Sequence, residues 1–175
     1  MTDPRSLAAG NAAWLTDSRV YNLIWLGRWL ERAEAITRAI NSAARQTAAS
    51  STGPMGLRDA LVPVAHMAGM RVEQKETLAA DILLHDTTAS ALHCLTNARM
   101  NATQVAPVEL IRAIAAAILD LQETDASSLE TPEQLLAITE GISNHLAQIN
   151  STIEDQWFSR ESLTEEEVFH RFVQQ

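Results

Sequence analysis

The sequence predicts an all-α protein, an antiparallel bundle of five to six helices. Three observations carry that expectation. Every apolar period along the chain is near 3.6 residues, helix caps fall at the edges of the periodic runs, and Ala and Leu dominate while strand-forming runs are sparse. At 175 residues the chain is sized for one domain with a real core. We expect a lead-in over residues 1–16 and a single helical domain over 17–175.

The first helix is expected from about 18 to 47, with Asp17 or Ser18 as N-cap. Asn22, Leu26, Trp29, Ala33, Ile36 and Ile40 follow steps of four and three, flanked by Leu23, Trp25 and Leu30, and so fall on one broad face. Ser50-Ser51-Thr52-Gly53-Pro54 ends it. A second helical region covers about 56–82, with Pro63 and Gly69 predicting a kink or two shorter pieces. A third helix, capped by Asp86 or Thr87, reaches about Gln104 and buries Leu92, Leu95, Ala98 and Ala102, with Ala91, Cys94 and Val105 beside them. Pro107 sits at the first turn of a fourth helix running to Glu123. Thr131 with Gln134 is a capping box that opens a fifth helix through Leu135, Ile138, Ile142, Leu146, Ile149 and Ile153. Thr164 with Glu167 is a second box, before Val168, Phe169, Phe172 and Val173.

Composition narrows the function classes. The formal net charge of -9 argues against nucleic-acid binding and against an anionic membrane surface, since both need a basic face. No run approaches the roughly 18 apolar residues of a membrane span, and Met1–Gly10 lacks the apolar core of a signal peptide, so a cytoplasmic location is expected. Cys94 is the only cysteine, which excludes an intrachain disulfide and a thiolate metal cage. It lies at the edge of an apolar helical face and reads as a small core residue rather than a nucleophile. Of His66, His85, His93, His145 and His170, no two stand three or four residues apart, and only Glu167 with His170 fits a Glu-x-x-His pattern, so no metal site is expected. The six glycines are scattered singly, so the chain lacks a phosphate-cradling loop of its own.

The first helix carries the densest chemistry: Arg28, Glu31, Arg32 and Glu34 lie within two turns, interleaved with Trp25 and Trp29. One reading is a solvated face with ordinary ion pairs such as Glu34 with Arg38. The other is that Glu31 and Arg32 face an anionic ligand or a protein partner. On the third helix the wheel places Arg99 beside Leu92 and Leu95, toward the core, where it needs a carboxylate or carbonyl partner, with Asn101 at the opposite border. Such a pair reads more naturally as a structural polar network than as a site.

The run Asn22-Leu23-Ile24-Trp25-Leu26-Gly27-Arg28-Trp29-Leu30-Glu31-Arg32-Ala33-Glu34 resembles the signature that opens the bacterial alpha-E domain family, with aromatic exchanges at Ile24 and Trp29. Ser90, Cys94, Leu95, Ala98, Arg99, Asn101 and Ala102 resemble a later family segment, which departs here at Met100, where the family carries glutamate. The resemblance covers about 18–123 and looks like a short, single-unit form. It implies an all-helical fold and an association with circularly permuted ATP-grasp proteins, thought to form amide bonds by ATP-dependent carboxylate activation. By that resemblance the chain is similar to the helical subunit of an amide (peptide) ligase. Glu31, Arg28, Arg32 and Arg99 would then serve as catalytic residues and Trp25, Trp29, Glu34 and Asn101 as substrate or interface residues. ATP and magnesium would sit on the partner, with nothing bound by this chain alone. The alternatives are a non-catalytic adaptor or homodimeric scaffold, and a free-standing protein with a pocket between helices.

Overall fold

The structure is a computed structural model and describes residues 17–49, 56–72, 78–85 and 90–158. Within them six α-helices form and no strand does. They are α1 (Asp17–Ala49), α2 (Leu57–Met67), α3 (Leu78–Leu84), α4 (Ala91–Val105), α5 (Val108–Glu123) and α6 (Pro132–Ile153). A 3-10 turn at Ala126–Leu129 joins α5 to α6, and α6 runs on into a π turn at Glu154–Phe158. The capping box at Thr164, the run Val168 to Val173 and the Glu167–His170 pair lie outside the described residues.

Four helices make a ring. α1 has its largest interface with α4 and its next largest with α6, while α5 closes the ring between α4 and α6. The short links at Ala106–Pro107 and 124–131 make α4, α5 and α6 antiparallel neighbours. Asn41, in the last third of α1, donates its amide to Thr139 Oγ1 in the first half of α6 at 2.9 Å, so these two helices also run in opposite directions. The result is an up-down-up-down bundle. α2 and α3 form an excursion between its first two members: α2 lies on α1, and α3 reaches α4 and the 3-10 turn. They close the end of the bundle at which α1 finishes.

The core is a row of aliphatic side chains, with Leu26, Ile36 and Ile40 from α1, Leu95 from α4, Ile114 and Leu121 from α5, and Leu135 and Ile149 from α6. Three buried polar residues sit among them, and each is satisfied locally. Thr37 and Thr139 donate to the carbonyls of Ala33 and Leu135 at 2.8 and 2.7 Å. Ser90 donates to the His85 carbonyl and accepts the His93 N–H at 3.1 Å.

The boundaries follow local chemistry. Thr131 and Gln134 form both bonds of the expected capping box, at 3.2 and 3.1 Å. α4, however, starts at Ala91 with Ser90 as its cap, later than Asp86 or Thr87, because Ser90 is the residue whose hydroxyl reaches the third helical N–H. In the second region Pro63 lies inside α2 without ending it, and the break comes after Met67. Gly69 adopts φ 80°, its N–H bonds the His66 carbonyl, and the Met70 N–H bonds that of Ala65. That 6→1 and 5→2 pair is a Schellman stop, and it needs a left-handed residue at this position.

A Cβ on Gly69 would touch nothing within 4 Å, so the penalty for replacing it comes from the backbone alone. Gly69→Ala should therefore destabilise the chain by about 1 kcal/mol, measured by denaturant unfolding against wild type, with the folded spectrum unchanged.

Candidate functional site

The wheel position of α1's outer face is set by what its inner face must bury. Leu26, Leu30, Ala33, Ile36 and Ile40 turn inward, which leaves Tyr21, Trp25, Arg28 and Arg32 along the outer edge next to α4. Tyr21, Trp25 and Trp29 succeed one another at every fourth residue and so stack up the helix. Their centroids are 6.0 and 5.7 Å apart, with planes inclined at 52° and 32°. Trp29 then meets His93 of α4 edge-on, at 5.8 Å and 82°. His93 is held there by the start of its helix, since its N–H is the one capped by Ser90.

Two arginines ride on this ladder. The Arg28 guanidinium lies 5.4 Å from the Trp25 ring centroid and that of Arg32 5.8 Å from Trp29, both within cation–π range. A Trp-x-x-Arg spacing used twice in succession produces both contacts. Each arginine is exposed, and no ion pair between described residues involves either one. Glu31 is exposed beside them. Together Trp25, Arg28, Trp29, Glu31, Arg32 and Ala35 line an open groove of about 430 Å³ along α1. Chemically this is a pair of guanidinium groups held over indole faces, with a carboxylate alongside. That placement reduces the rotamer entropy lost when the cations meet an anion, and suits them to a carboxylate or phosphate.

The remaining sequence-predicted residues lie elsewhere. Glu34 does not line the groove; its carboxylate pairs with Arg38 at 3.7 Å, an exposed i,i+4 contact. On α4 the Asn101 amide donates to the Asn97 carbonyl at 2.8 Å, continuing a ladder in which Asn97 donates to His93. Arg99 corrects the sequence reading: it is exposed rather than half-buried. The centre of α4's buried face follows Ala91, Leu95, Ala98 and Ala102, and Arg99 stands about 80° round the helix from Ala91, at 100° per residue. From that border its long stem carries the charge out to water. Met100 is exposed beside it.

Cys94 is fully buried at the seam between α1 and α4. Burial pushes its thiol from 9.0 up to about 11, and the nearby Arg32 guanidinium offsets part of that rise. A thiol in that state is no nucleophile, as the sequence suggested. The same proximity shows that Arg32 extends its field both to the groove and to the seam. His93 is the member of the site that sequence reading missed. Its only sequence signal is its place three residues after a serine cap.

The fold and face define a helical bundle that displays a cation–aromatic stripe on its longest helix. The chain belongs to the Alpha-E family, described as a predicted alpha-helical domain with a conserved ER motif, whose model matches residues 18–158. That span extends the resemblance from about residue 123 to the end of the π turn. Glu31–Arg32 is the only Glu-Arg dipeptide in the chain, and both residues line the groove. No curated protein and no solved structure is matched by the chain.

Two measurements check this placement. Because Arg99 is solvated, Arg99→Met should change unfolding free energy by less than about 0.5 kcal/mol. Cys94 should stay unlabelled by a thiol reagent at pH 8 in the folded chain and react fully once unfolded. A raised folded pKa means the native state holds its proton longer. The stability linked to Cys94 is therefore complete below pH 9.0 and lost as pH rises toward about 11, which pH-dependent unfolding reads directly.

Proposed function

We propose that this chain is the helical partner of a circularly permuted ATP-grasp amide (peptide) ligase and supplies the Glu31–Arg32 face of α1 to a shared active site. The observation that carries the reading is the groove in which Arg28 and Arg32 are held over Trp25 and Trp29 with Glu31 alongside. An acyl phosphate, or the carboxylate of an acceptor amino acid, is the anion such a pair suits. On this reading Glu31 takes the proton of an incoming amine, and ATP with magnesium belongs to the partner. The scattered glycines agree with a chain that leaves nucleotide binding to another protein.

Gly27 favours a partner at this helix as well. A glycine inside a helix costs about 0.5–1 kcal/mol relative to alanine. Yet a Cβ on Gly27 would meet no atom within 4 Å, so no packing contact requires it. Close approach of a second backbone would explain it.

Reconstitution tests the reading. ATP consumption with candidate amino acids should require both this chain and the ATP-grasp protein. Glu31→Gln and Arg32→Met should lower turnover at least about a hundredfold, the scale of a lost acid–base or electrostatic group, while complex formation changes far less. Gly27→Ala should stabilise the isolated chain by about 0.5–1 kcal/mol and weaken the complex. Equal loss of binding and turnover in the Glu31 and Arg32 variants would make the stripe an adaptor surface only. Turnover by this chain alone would end the partner model.

A further inference from the structure

Part of the groove wall is held from outside α1. Trp29 is half-buried, and its ring makes three contacts with side chains of its own kind or with a cation. Trp25 lies one turn before it, the Arg32 guanidinium rests on it, and the His93 imidazole meets it edge-on. The first two belong to the same helix as Trp29. A contact between residues three or four apart on one helix is worth less than thermal energy. Such contacts do not by themselves hold an indole or a guanidinium in one rotamer. His93 differs because it comes from α4.

The imidazole has a rigid root. The His93 N–H donates to Ser90 Oγ at 3.1 Å, and the His93 carbonyl accepts the Asn97 amide at 2.8 Å. Ser90 is itself fully buried, and its hydroxyl donates to the His85 carbonyl. The next residue, Cys94, is fully buried and lies within the field of Arg32. Two successive residues of α4 thus lie close to Trp29 and Arg32, both of which line the groove. The other half of the groove is built differently. Trp25 meets the rings of Tyr21 and Trp29, both on α1, and carries Arg28. Among the described residues no ring from another helix closes on it.

We propose that His93 is a positioning residue for the groove. Anchored at the start of α4, its imidazole fixes the Trp29 indole and, through it, the Arg32 guanidinium, while Arg28 stays adjustable. His93 does not line the groove, so it acts through Trp29 rather than on a ligand. The two cations then have different tasks: Arg32 sets where an anion sits, and Arg28 closes on it. The fixing of Arg32 is independent of the ligase reading; an effect on turnover rests on that reading.

The test is side-chain nitrogen relaxation on the full chain, reading the Trp29 indole N–H and the Nε–H groups of Arg28 and Arg32. In wild type Arg32 should be more ordered than Arg28. In His93→Ala the Trp29 order parameter should fall from about 0.85 to below about 0.6, and Arg32 should drop to the level of Arg28, which itself stays unchanged. His93→Gln keeps a polar side chain without a ring and should behave like His93→Ala, whereas His93→Phe keeps an aromatic edge and should restore order at both positions. Each variant leaves the backbone N–H that Ser90 caps. Unchanged order at Trp29 and Arg32 in the two ringless variants would overturn the proposal. So would equal loosening of Arg28 and Arg32, or failure of His93→Phe to restore them, since either means a general loosening of the bundle. With the ATP-grasp protein present, His93→Ala should lower turnover by about tenfold, the scale of a misplaced group. Loosening of Arg32 with turnover unchanged would uphold the positioning and count against the ligase reading instead.

Discussion

Ala33 and Ala44 of α1 and Ala91, Ala98 and Ala102 of α4 are fully or almost fully buried. Small buried side chains let helices approach closely, and among the described residues α1 and α4 share the most extensive interface. Everything else is arranged around that seam. α4 and α6 flank α1 and α2 lies on it as well, while the outer side that carries Tyr21, Arg28, Glu31 and Arg32 is exposed. The ladder Tyr21–Trp25–Trp29 stands on the border between the α4 flank and this outer side, so its rings are part packing and part surface. The arginines fixed on those rings inherit their positions from the seam, and the edge-on contact of Trp29 with His93 ties the ladder to α4 directly.

This arrangement couples the groove to the core. Arg32 touches Trp29 on one side and lowers the pKa of the buried Cys94 thiol on the other. His93 and Cys94 of α4 thus both lie close to groove residues, one meeting Trp29 edge-on and the other within the field of Arg32.

Most of the fold was readable because the signals were local or periodic. The Thr131 capping box, the apolar row of α6 and the length of α1 each depend on residues within a few turns of one another. Less was readable where two local signals competed, although the two shorter helices expected in the second region do form. Pro63 and Gly69 both suggested a break, and only Gly69 offered the left-handed φ that a Schellman stop uses. Asp86 or Thr87 was the expected cap, and the helix instead begins after Ser90, whose hydroxyl accepts the His93 N–H and donates to the His85 carbonyl. Arg99 was misjudged because a wheel locates Cβ atoms, whereas a four-atom stem decides where the charge goes. In the site, Trp25, Arg28, Trp29, Glu31 and Arg32 stand within one helix and were visible together. His93 joins them only through tertiary packing, which no spacing rule reports.

The bond between Asn41 and Thr139 has a consequence for register. Asn41 accepts from Arg45 Nε at 2.7 Å and donates to Thr139, whose hydroxyl is returned to the Leu135 carbonyl at 2.7 Å. Aliphatic rows on α1 and α6 repeat every three or four residues, so a slip of one turn, about 5.4 Å, would still bury hydrocarbon against hydrocarbon. The same slip would pull Asn41 away from Thr139 and set it against leucine or isoleucine, leaving an amide stranded at the seam. One polar contact between otherwise interchangeable greasy surfaces therefore distinguishes the native alignment from its neighbours, as a single notch indexes a ratchet.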